Sequence, residues 1–483
     1  MENILIRNLI PLFPEFMVLA TAIGLLMAGV LTKYLRVRFF TKTVIMLLTA
    51  VLFTLLQKWG HTVQIFDGQL IFDNFGLCVK IIILIATILT LCLLHGLVLT
   101  NPWISFEVIV LMLFAVLGMM LLVSAHNLLS FYMALELMSL SLYILASIHR
   151  DSLLSSEAGL KYFVLGALAS GLFLFGCALV YGFSGTADFS KLAMLYNVPD
   201  KMPVAVLLGV VFILVALFFK ISAAPFHMWT PDVYQGAPTI VTAFFSAAPK
   251  ITGVAVLMRF LMEPLQGVTM QWQQIVVVVS VTSMLVGAVA ALRQTNIKRL
   301  LAYSSIGHVG YLLVGVASGN ITGTQSILVY GFIYILMTIG MFGIVLHLKR
   351  KKENVESLSD FAGLAKTEPL LAAIVSIFML SMAGIPPFAG FFAKFYVFLA
   401  AMEEELYVLA VIGVVSSVIG AFYYLRIIKL MYFDDAKAPL DTVLLPYAHK
   451  LVIYGSALFT LVYFIYPSPV IQISRAAARS LLQ

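Results

Sequence analysis

The chain has 483 residues, of which 62% are hydrophobic and 11% charged, and its mean hydropathy is +1.07. This composition lies far outside that of soluble globular proteins and predicts an integral membrane protein without an attached nucleotide-binding domain. The formal net charge is +7, but no basic stretch of the kind that binds nucleic acid is present.

Fourteen apolar runs are candidates for transmembrane helices, each of which needs about 20 residues to cross a bilayer. The first run is followed by basic residues without a convincing small-residue cleavage site, which predicts an uncleaved first span. The predicted fold is therefore all-α, a polytopic membrane protein of about fourteen transmembrane helices. The runs are approximately 11–31, 42–57, 75–98, 105–123, 126–148, 158–181, 203–235, 238–262, 272–292, 298–318, 324–348, 369–403, 406–432 and 447–466.

Basic residues are distributed unequally between the two sets of connections. The odd-numbered connections hold seventeen Lys and Arg residues, whereas the even-numbered ones hold only Lys58, Lys191 and Lys201. Lys and Arg accumulate in cytoplasmic loops, so we expect the odd connections to face the cytoplasm and both termini to face the other side.

Two of the runs are too long for one helix and carry proline in the middle, which usually kinks or breaks a helix. Each is the fourth of five spans, in blocks at 105–262 and 272–432. Because five is odd, the second block is expected to be inverted relative to the first. Inverted repeats with interrupted helices point to an ion path near the bilayer midplane, although two unrelated proline kinks are the alternative. The prolines are Pro225, Pro231 and Pro238 in the first run and Pro386 and Pro387 in the second.

The expected organisation thus has four parts. Residues 1–104 form three flanking helices, 105–262 the first repeat, 272–432 the second repeat, and 433–483 a last helix and tail.

A buried carboxylate and a buried histidine occupy corresponding spans of the two blocks. A charged side chain at a helix centre costs roughly 2.5–3.5 kcal/mol, so it is rare without a partner or a purpose. Glu136 shares a helix face with Ser139 and Tyr143. His308 shares its face with Ser304 and Tyr311 in the matching span of the second block.

Buried lysines accompany the proline breaks. Lys220 comes directly before the first break, and Lys394 comes seven residues after Pro387. Lys250 lies in the middle of the following span, and Lys161 lies one helical turn after Glu157, a favourable spacing for an ion pair.

Lysine is the informative residue type because its protonation responds to its surroundings. Desolvation lowers the pKa of a lysine from about 10.4 by several units, and a nearby carboxylate raises it again. Movement of Glu136 relative to Lys220 would therefore load or release a proton. A row of Lys220, Lys250, His308 and Lys394 could then pass that proton laterally.

Each of these residues also has a structural interpretation. The lysines and Glu136 could form static ion pairs, and His308 could be a packing histidine. For Lys161 the structural and the functional interpretations have equal support. Lys80 and Arg259 lie near span ends, where we expect them to snorkel to the interface without a special role.

With Glu136, KYFVLGALASG, FFKISAAPFHMWTPDVYQGAPT, Lys250 and MAGIPPFAGFFAKF in this order, the chain resembles the antiporter-like membrane subunits of proton-pumping NADH:quinone oxidoreductase, complex I. The resemblance covers nearly the whole chain, and the phrase around Pro225 to Pro238 is specific for the superfamily. The superfamily also includes subunits of multisubunit cation/proton antiporters and of membrane-bound hydrogenases. Length, span count and lysine at position 394 make the N subunits the most similar branch.

The resemblance implies roles for the site residues. Glu136 and Lys220 match the switching pair of the family, Lys250 the central relay, and Lys394 the residue that faces the exit half-channel. Lys161 also matches a position that is lysine in the family, which favours a role for it.

The resemblance further implies that no flavin, iron–sulfur cluster or quinone is bound in this chain, so that NADH, FMN, the clusters and quinone belong to partner subunits. The cysteines Cys78, Cys92 and Cys177 agree with this expectation, since they lie apart in apolar runs without CxxC spacing. The redox energy would then arrive from elsewhere in the complex.

The sequence therefore predicts a non-redox, proton-translocating subunit of NADH:quinone oxidoreductase in a bacterial cytoplasmic membrane, with the other subunits of complex I as partners. Two alternatives come from other classes. One is a subunit of a multisubunit sodium/proton antiporter, and the other is a purely structural membrane scaffold in which the buried charges are dispensable.

Overall fold

The computed structural model describes residues 9–31, 37–197, 202–350, 353–435 and 445–482. This part of the chain is almost entirely helical. Its helices are α1 (Phe13–Leu31), α2 (Val37–Leu56), α3 (Asn74–Leu97), α4 (Phe106–Ser124), α5 (Leu128–Ala146), α6 (Leu153–Ser184), α7 (Phe189–Leu195), α8 (Val204–Ile221), α9 (Thr230–Gly236), α10 (Thr239–Met262), α11 (Thr269–Leu292), α12 (Ile297–Ser318), α13 (Ile321–His347), α14 (Leu364–Thr367), α15 (Pro369–Ala383), α16 (Ala389–Glu403), α17 (Tyr407–Phe433), α18 (Tyr447–Val462) and α19 (Ser468–Leu481).

Two short antiparallel hairpins lie in connections between helices. Strands β1 (Val63–Ile65) and β2 (Leu70–Phe72) pair with Val63 opposite Phe72. Strands β3 (Lys349–Arg350) and β4 (Glu353–Asn354) pair with Lys349 opposite Asn354.

The predicted number of membrane crossings agrees with the structure. Within the described ranges, twelve helices are long and apolar enough to cross a membrane, and α15 is a shorter apolar helix. Counting α8 with α9 and α15 with α16 as single crossings, and adding α18, gives fourteen crossings. The all-α, polytopic fold is therefore confirmed.

Backbone pairings between connections show that the crossings alternate. Leu70 pairs with Ala125 and Asn127 with Asp188, which brings the second, fourth and sixth connections to one side. Asn296 pairs with Ser357, which joins the ninth and eleventh connections, as alternating crossings require. Of the three basic residues on the first side, Lys201 lies outside the described residues.

Both predicted helix breaks are present, each in the fourth of five consecutive crossings. Helix α8 ends at Ile221 and α9 begins at Thr230, and Ser222 between them has a left-handed φ of 65°. Helix α15 ends at Ala383 and α16 begins at Ala389, and Gly384 has a left-handed φ of 85°. Because α8 and α15 start from opposite sides, the two broken crossings run in opposite directions. The exact repeat limits, 105–262 and 272–432, stay a prediction.

Three helices are the most deeply buried part of the protein. In the most apolar window of each, 100% of α10, 94% of α12 and 94% of α13 is buried inside the protein. Helices that are buried all round carry apolar residues on every face, so the polar side chains among them stand out. These helices carry Lys250, His308, Tyr330 and Tyr334.

One helix near the carboxyl end was not predicted. Helix α19 is too short and too polar to be read as a span, and it follows the crossing α18. It packs on α3, where the backbone N–H of Phe75 donates a hydrogen bond of 2.9 Å to Ser480 Oγ.

Candidate functional site

At the first break, Lys220 is held by hydroxyl groups. Its ammonium donates to Ser139 Oγ at 2.7 Å and to the hydroxyl of Tyr143 at 2.8 Å, both on α5. Glu136, one turn earlier on α5, accepts a hydrogen bond from Ser170 of α6. Among the ion pairs of the described residues, none joins Lys220 to Glu136. Glu136 and Lys220, the predicted switching pair, therefore bind hydroxyl groups and form no ion pair with each other.

Lys250 lies in the middle of α10 and is almost fully buried. Its Nζ lies 2.5 Å from Ser305 Oγ of α12, which in turn lies 2.6 Å from the hydroxyl of Tyr334 on α13. The Nζ also lies 5.1 Å from the centre of the Tyr234 ring, within the range of a cation–π contact. The structure thus connects this lysine to the second block through two hydroxyls.

His308 bridges two tyrosines. Its Nδ1 lies 2.6 Å from the hydroxyl of Tyr330, and its Nε2 lies 3.2 Å from that of Tyr424. Ser304, which the sequence places on the same helix face, lies 2.5 Å from the Tyr424 hydroxyl. An imidazole between two hydroxyls can accept a proton on one side and donate one on the other.

Lys394 is bound to the end of the helix that precedes the second break. Its ammonium donates to the carbonyl of Ala383 at 2.9 Å and to Ser417 Oγ at 2.8 Å. A small cavity of about 10 Å³ lies between His308, Lys394 and Tyr424. This is close to the volume that a single water molecule requires.

Lys161 differs from the other lysines because its side chain is 43% exposed. The predicted pair with Glu157 is present at 2.7 Å, and Asp232 of α9 binds the same ammonium at 2.8 Å. Asp232 also binds Arg299 of α12 at 2.7 Å. Lys161 therefore contacts the helix that follows the first break rather than Lys220.

The predicted row is connected in parts. Hydroxyls link Lys250 to Tyr334, and tyrosines link His308 to its neighbours. No hydrogen bond between described side chains joins Lys220 to Lys250.

The expectation that Lys80 and Arg259 snorkel to the interface is wrong. Lys80 is buried and binds Glu15 at 2.6 Å, and Arg259 is buried and binds both carboxylate oxygens of Asp73, at 2.8 and 2.9 Å. Arg259 also binds Glu263, one turn later. Glu15 and Asp73 come from distant parts of the chain, so the span that carries the cation does not reveal them.

Sequence reasoning also missed most of the hydroxyl partners. Tyr330 and Tyr334 are spaced four residues apart on an apolar helix, which was an available signal for one polar face. Ser170 and the adjacent pair Ser416 and Ser417 lie in apolar runs, where serine commonly bonds only to its own helix, so they gave no signal.

The cysteines of this chain are unpaired, and in the ranges that the structure describes no group of three or more His, Cys, Asp and Glu side chains is arranged to hold a metal ion.

Two discontinuous helices and a row of buried lysines define a membrane subunit built for ion translocation. The chain belongs to the family described as "NADH:quinone oxidoreductase/Mrp antiporter, TM", whose model matches residues 125–420.

Similar proteins cover most or all of the chain. The NADH-quinone oxidoreductase subunit N of Parvibaculum lavamentivorans is 46% identical over 484 residues, covering 100% of both chains. That of Granulibacter bethesdensis is 51% identical over 428 residues, covering 86% of this chain and 88% of the relative. A chain in the solved structure of respiratory complex I from Thermus thermophilus with bound aureothin is 31% identical, with a TM-score of 0.80 over 95% of this chain and 99% of that chain.

Proposed function

We propose that this chain is the N subunit of a NADH:quinone oxidoreductase and translocates protons through its buried Glu, Lys and His residues. The observation that carries the proposal is that Lys220, Lys250 and Lys394 are each buried and held by hydroxyl groups beside or between two helix breaks. Relatives with the name of that subunit, one of them matched over its full length, support the assignment.

The chain acts without redox chemistry of its own. NADH, FMN, iron–sulfur clusters and quinone belong to partner subunits of complex I, and this subunit lies in the cytoplasmic membrane of a bacterium. Residues 105–262 and 272–432 act as the two inverted halves of one proton path, flanked by residues 1–104 and 433–483.

Proton loading begins at the first break. Lys220 has hydroxyl partners, and Glu136 is held aside by Ser170. When Glu136 leaves Ser170 and approaches Lys220, the carboxylate favours a protonated lysine, and when it withdraws, the lysine releases its proton more readily. A change of partner over a few ångströms therefore changes the proton occupancy of Lys220.

The proton then passes to the second half through groups that both donate and accept. Lys250 reaches Ser305 and Tyr334, and His308 reaches Tyr330 and Tyr424. Hydroxyl groups and a neutral imidazole can each accept one proton while releasing another. Lys394 receives the proton beside the second break, and Lys161 supports the helix α9 through Asp232.

The first test replaces the switching pair in the intact complex. Lys220→Ala and Glu136→Ala are expected to leave assembly unchanged and to lower both proton translocation and NADH:quinone activity. Lys366→Ala is the control, because Lys366 is an exposed lysine paired with exposed Asp435. Wild-type translocation in assembled Lys220→Ala complexes would contradict the proposal.

Two further measurements address the alternatives. Native electrophoresis of gently extracted, tagged protein is expected to give a band of several hundred kilodaltons that oxidises NADH, whereas a smaller band without this activity would favour the sodium/proton antiporter. The combined change of Lys220, Lys250 and Lys394 to Met is expected to abolish coupled activity. Full activity of that variant would favour the scaffold.

A further inference from the structure

The first helix break is tied to a helix of the second half. The backbone N–H of Ala224, inside the break, donates a hydrogen bond of 2.8 Å to Ser283 Oγ on α11. Both residues are fully buried. A buried backbone N–H that loses its only partner is costly, so this bond fixes the break against α11.

The next residue on α11 is held from the other side by α17. The hydroxyl of Ser416 donates to the carbonyl of Met284 at 2.9 Å. Ser416 is fully buried, as is Ser283. Adjacent residues of α11 therefore bind the first break and helix α17.

The neighbouring serine on α17 reaches the second break. Ser417 accepts a hydrogen bond from Lys394 at 2.8 Å and donates one to the carbonyl of Ala383 at 3.2 Å. Ala383 is the last residue of α15 before the break. Ser283, Ser416 and Ser417 thus form a continuous series of contacts, here called the serine bridge, from one break to the other.

We propose that the serine bridge couples the two helix breaks, so that a change of partner at Lys220 changes the hydrogen bonding of Lys394. The inference rests on the proposed function, because it assigns the two lysines to one proton path. Ser283 and Ser416 act as positioning residues, since neither contacts a lysine.

The coupling follows from the position of Lys220. It is the penultimate residue of α8, so a change of its partners on α5 moves the residues of the break that follow. Helix α11 packs tightly on α12, where a side chain at Gly287 would lie 2.5 Å from the backbone nitrogen of Gly307. Close-packed helices shift as units rather than deform, so displacement of Ser283 carries Met284 with it.

The test compares three single serine variants in the intact complex. Ser283→Ala and Ser416→Ala each cut the bridge. Ser280→Ala is the matched control, because Ser280 is a fully buried serine one turn earlier on α11 whose hydroxyl donates to the carbonyl of Gly310 at 2.8 Å. The readouts are the amount of assembled complex and the rate of proton translocation per assembled complex.

We expect Ser280→Ala to translocate at the wild-type rate and each bridge variant to be about two- to fivefold slower, with the double variant no slower than either single one. Such non-additivity is expected when two residues act in the same chain of contacts. A merely structural role would instead lower the amount of assembled complex. Equal rates for Ser283→Ala and Ser280→Ala, or effects of Ser283 and Ser416 that multiply, would overturn the bridge.

Two additional variants keep the outcomes separate. Lys220→Ala, measured in parallel, tests the proposed function: if it slows translocation while Ser283→Ala does not, only the bridge fails. If Ser283→Ala does not assemble, Ser283→Thr is used instead, because threonine keeps the acceptor oxygen. We expect the Thr variant to translocate protons at the wild-type rate. Slow translocation by an assembled Thr variant would contradict the bridge.

Discussion

The ammonium group of Lys394 donates a hydrogen bond of 2.9 Å to the carbonyl oxygen of Ala383, the last residue of α15. A cation at the carboxyl end of a helix is favourable because the free carbonyls there carry partial negative charge. Gly384 makes this contact possible, since its φ is 85° and a Cβ there would lie 2.9 Å from Lys394 Cδ. In the proposed proton path, this one side chain would serve both as helix cap and as proton carrier.

These two roles of Lys394 are separable by substitution. Lys394→Gln keeps an N–H donor for the Ala383 carbonyl but cannot carry a proton, and we expect normal assembly with loss of translocation. Lys394→Met loses the donor as well. We expect the free energy of unfolding of the Met variant to be about 1–3 kcal/mol lower than that of the Gln variant. Thermal unfolding and proton translocation of both purified complexes provide the comparison. Wild-type translocation by the Gln variant would refute the carrier role.

Ser170 donates a hydrogen bond to Glu136, and in the proposed mechanism this bond keeps Glu136 away from Lys220. We expect Ser170→Ala to leave Glu136 free to bind Lys220 permanently and to slow proton translocation several-fold without loss of assembly. Ser155→Ala is the control on the same helix, because its buried hydroxyl donates to the carbonyl of Ala146 instead. Translocation rates are compared per assembled complex, and a wild-type rate for Ser170→Ala would show that this hydrogen bond does not control the pair.

The buried pair between Arg259 and Asp73 is expected to stabilise the protein only while both partners are present. Arg259→Met leaves Asp73 buried without its cation and is expected to lower the free energy of unfolding by about 3–5 kcal/mol. Asp73→Asn is expected to cost less, because Arg259 keeps Glu263 as a carboxylate partner. The double variant is expected to lose less than the sum of the single variants. Thermal unfolding of the four proteins tests this, and additive losses would contradict it.

Local sequence patterns were sufficient for the features that depend on one helix. Pro225 and Pro387 marked both breaks, and Glu157 marked the partner of Lys161, because these effects act within a turn of the chain. Glu15 and Asp73, the distant partners of Lys80 and Arg259, were not predictable in this way. Asp73 lies 186 residues from Arg259 in sequence, and only the packing of α3 on α10 brings the two together.

The hydroxyl partners were hidden for a related reason. Serine in a membrane helix usually bonds to its own backbone, as Ser141 does to the carbonyl of Leu137. Ser170, Ser283 and Ser417 have the same local surroundings in sequence but face other helices. Which serines become part of the site is decided by helix packing, and the hydropathy pattern does not encode it.

The carboxyl of Glu263, just beyond α10, gives a pH-dependent prediction. Burial raises its pKa to about 7, and Asp73 acts in the same direction, while Arg259 lowers it. His126 also faces this carboxyl, with its Nε2 3.4 Å from Oε2. The raised pKa means that the folded protein binds a proton more tightly than the unfolded chain, whose glutamate has a pKa of about 4.3.

The stabilising contribution of this proton is therefore complete below the unfolded pKa and is lost as pH rises through about 7. His126 acts in the opposite sense, because burial and Arg259 lower its pKa, so it favours folding at higher pH. Comparison with Glu263→Gln isolates the carboxyl, since the amide does not titrate and leaves His126 in place. We expect the unfolding temperature of the wild type to fall relative to that of the variant as the pH rises from about 5 to about 8. This range spans most of the interval between the unfolded and folded pKa values of Glu263. A constant difference across this range would show that Glu263 does not take up a proton on folding.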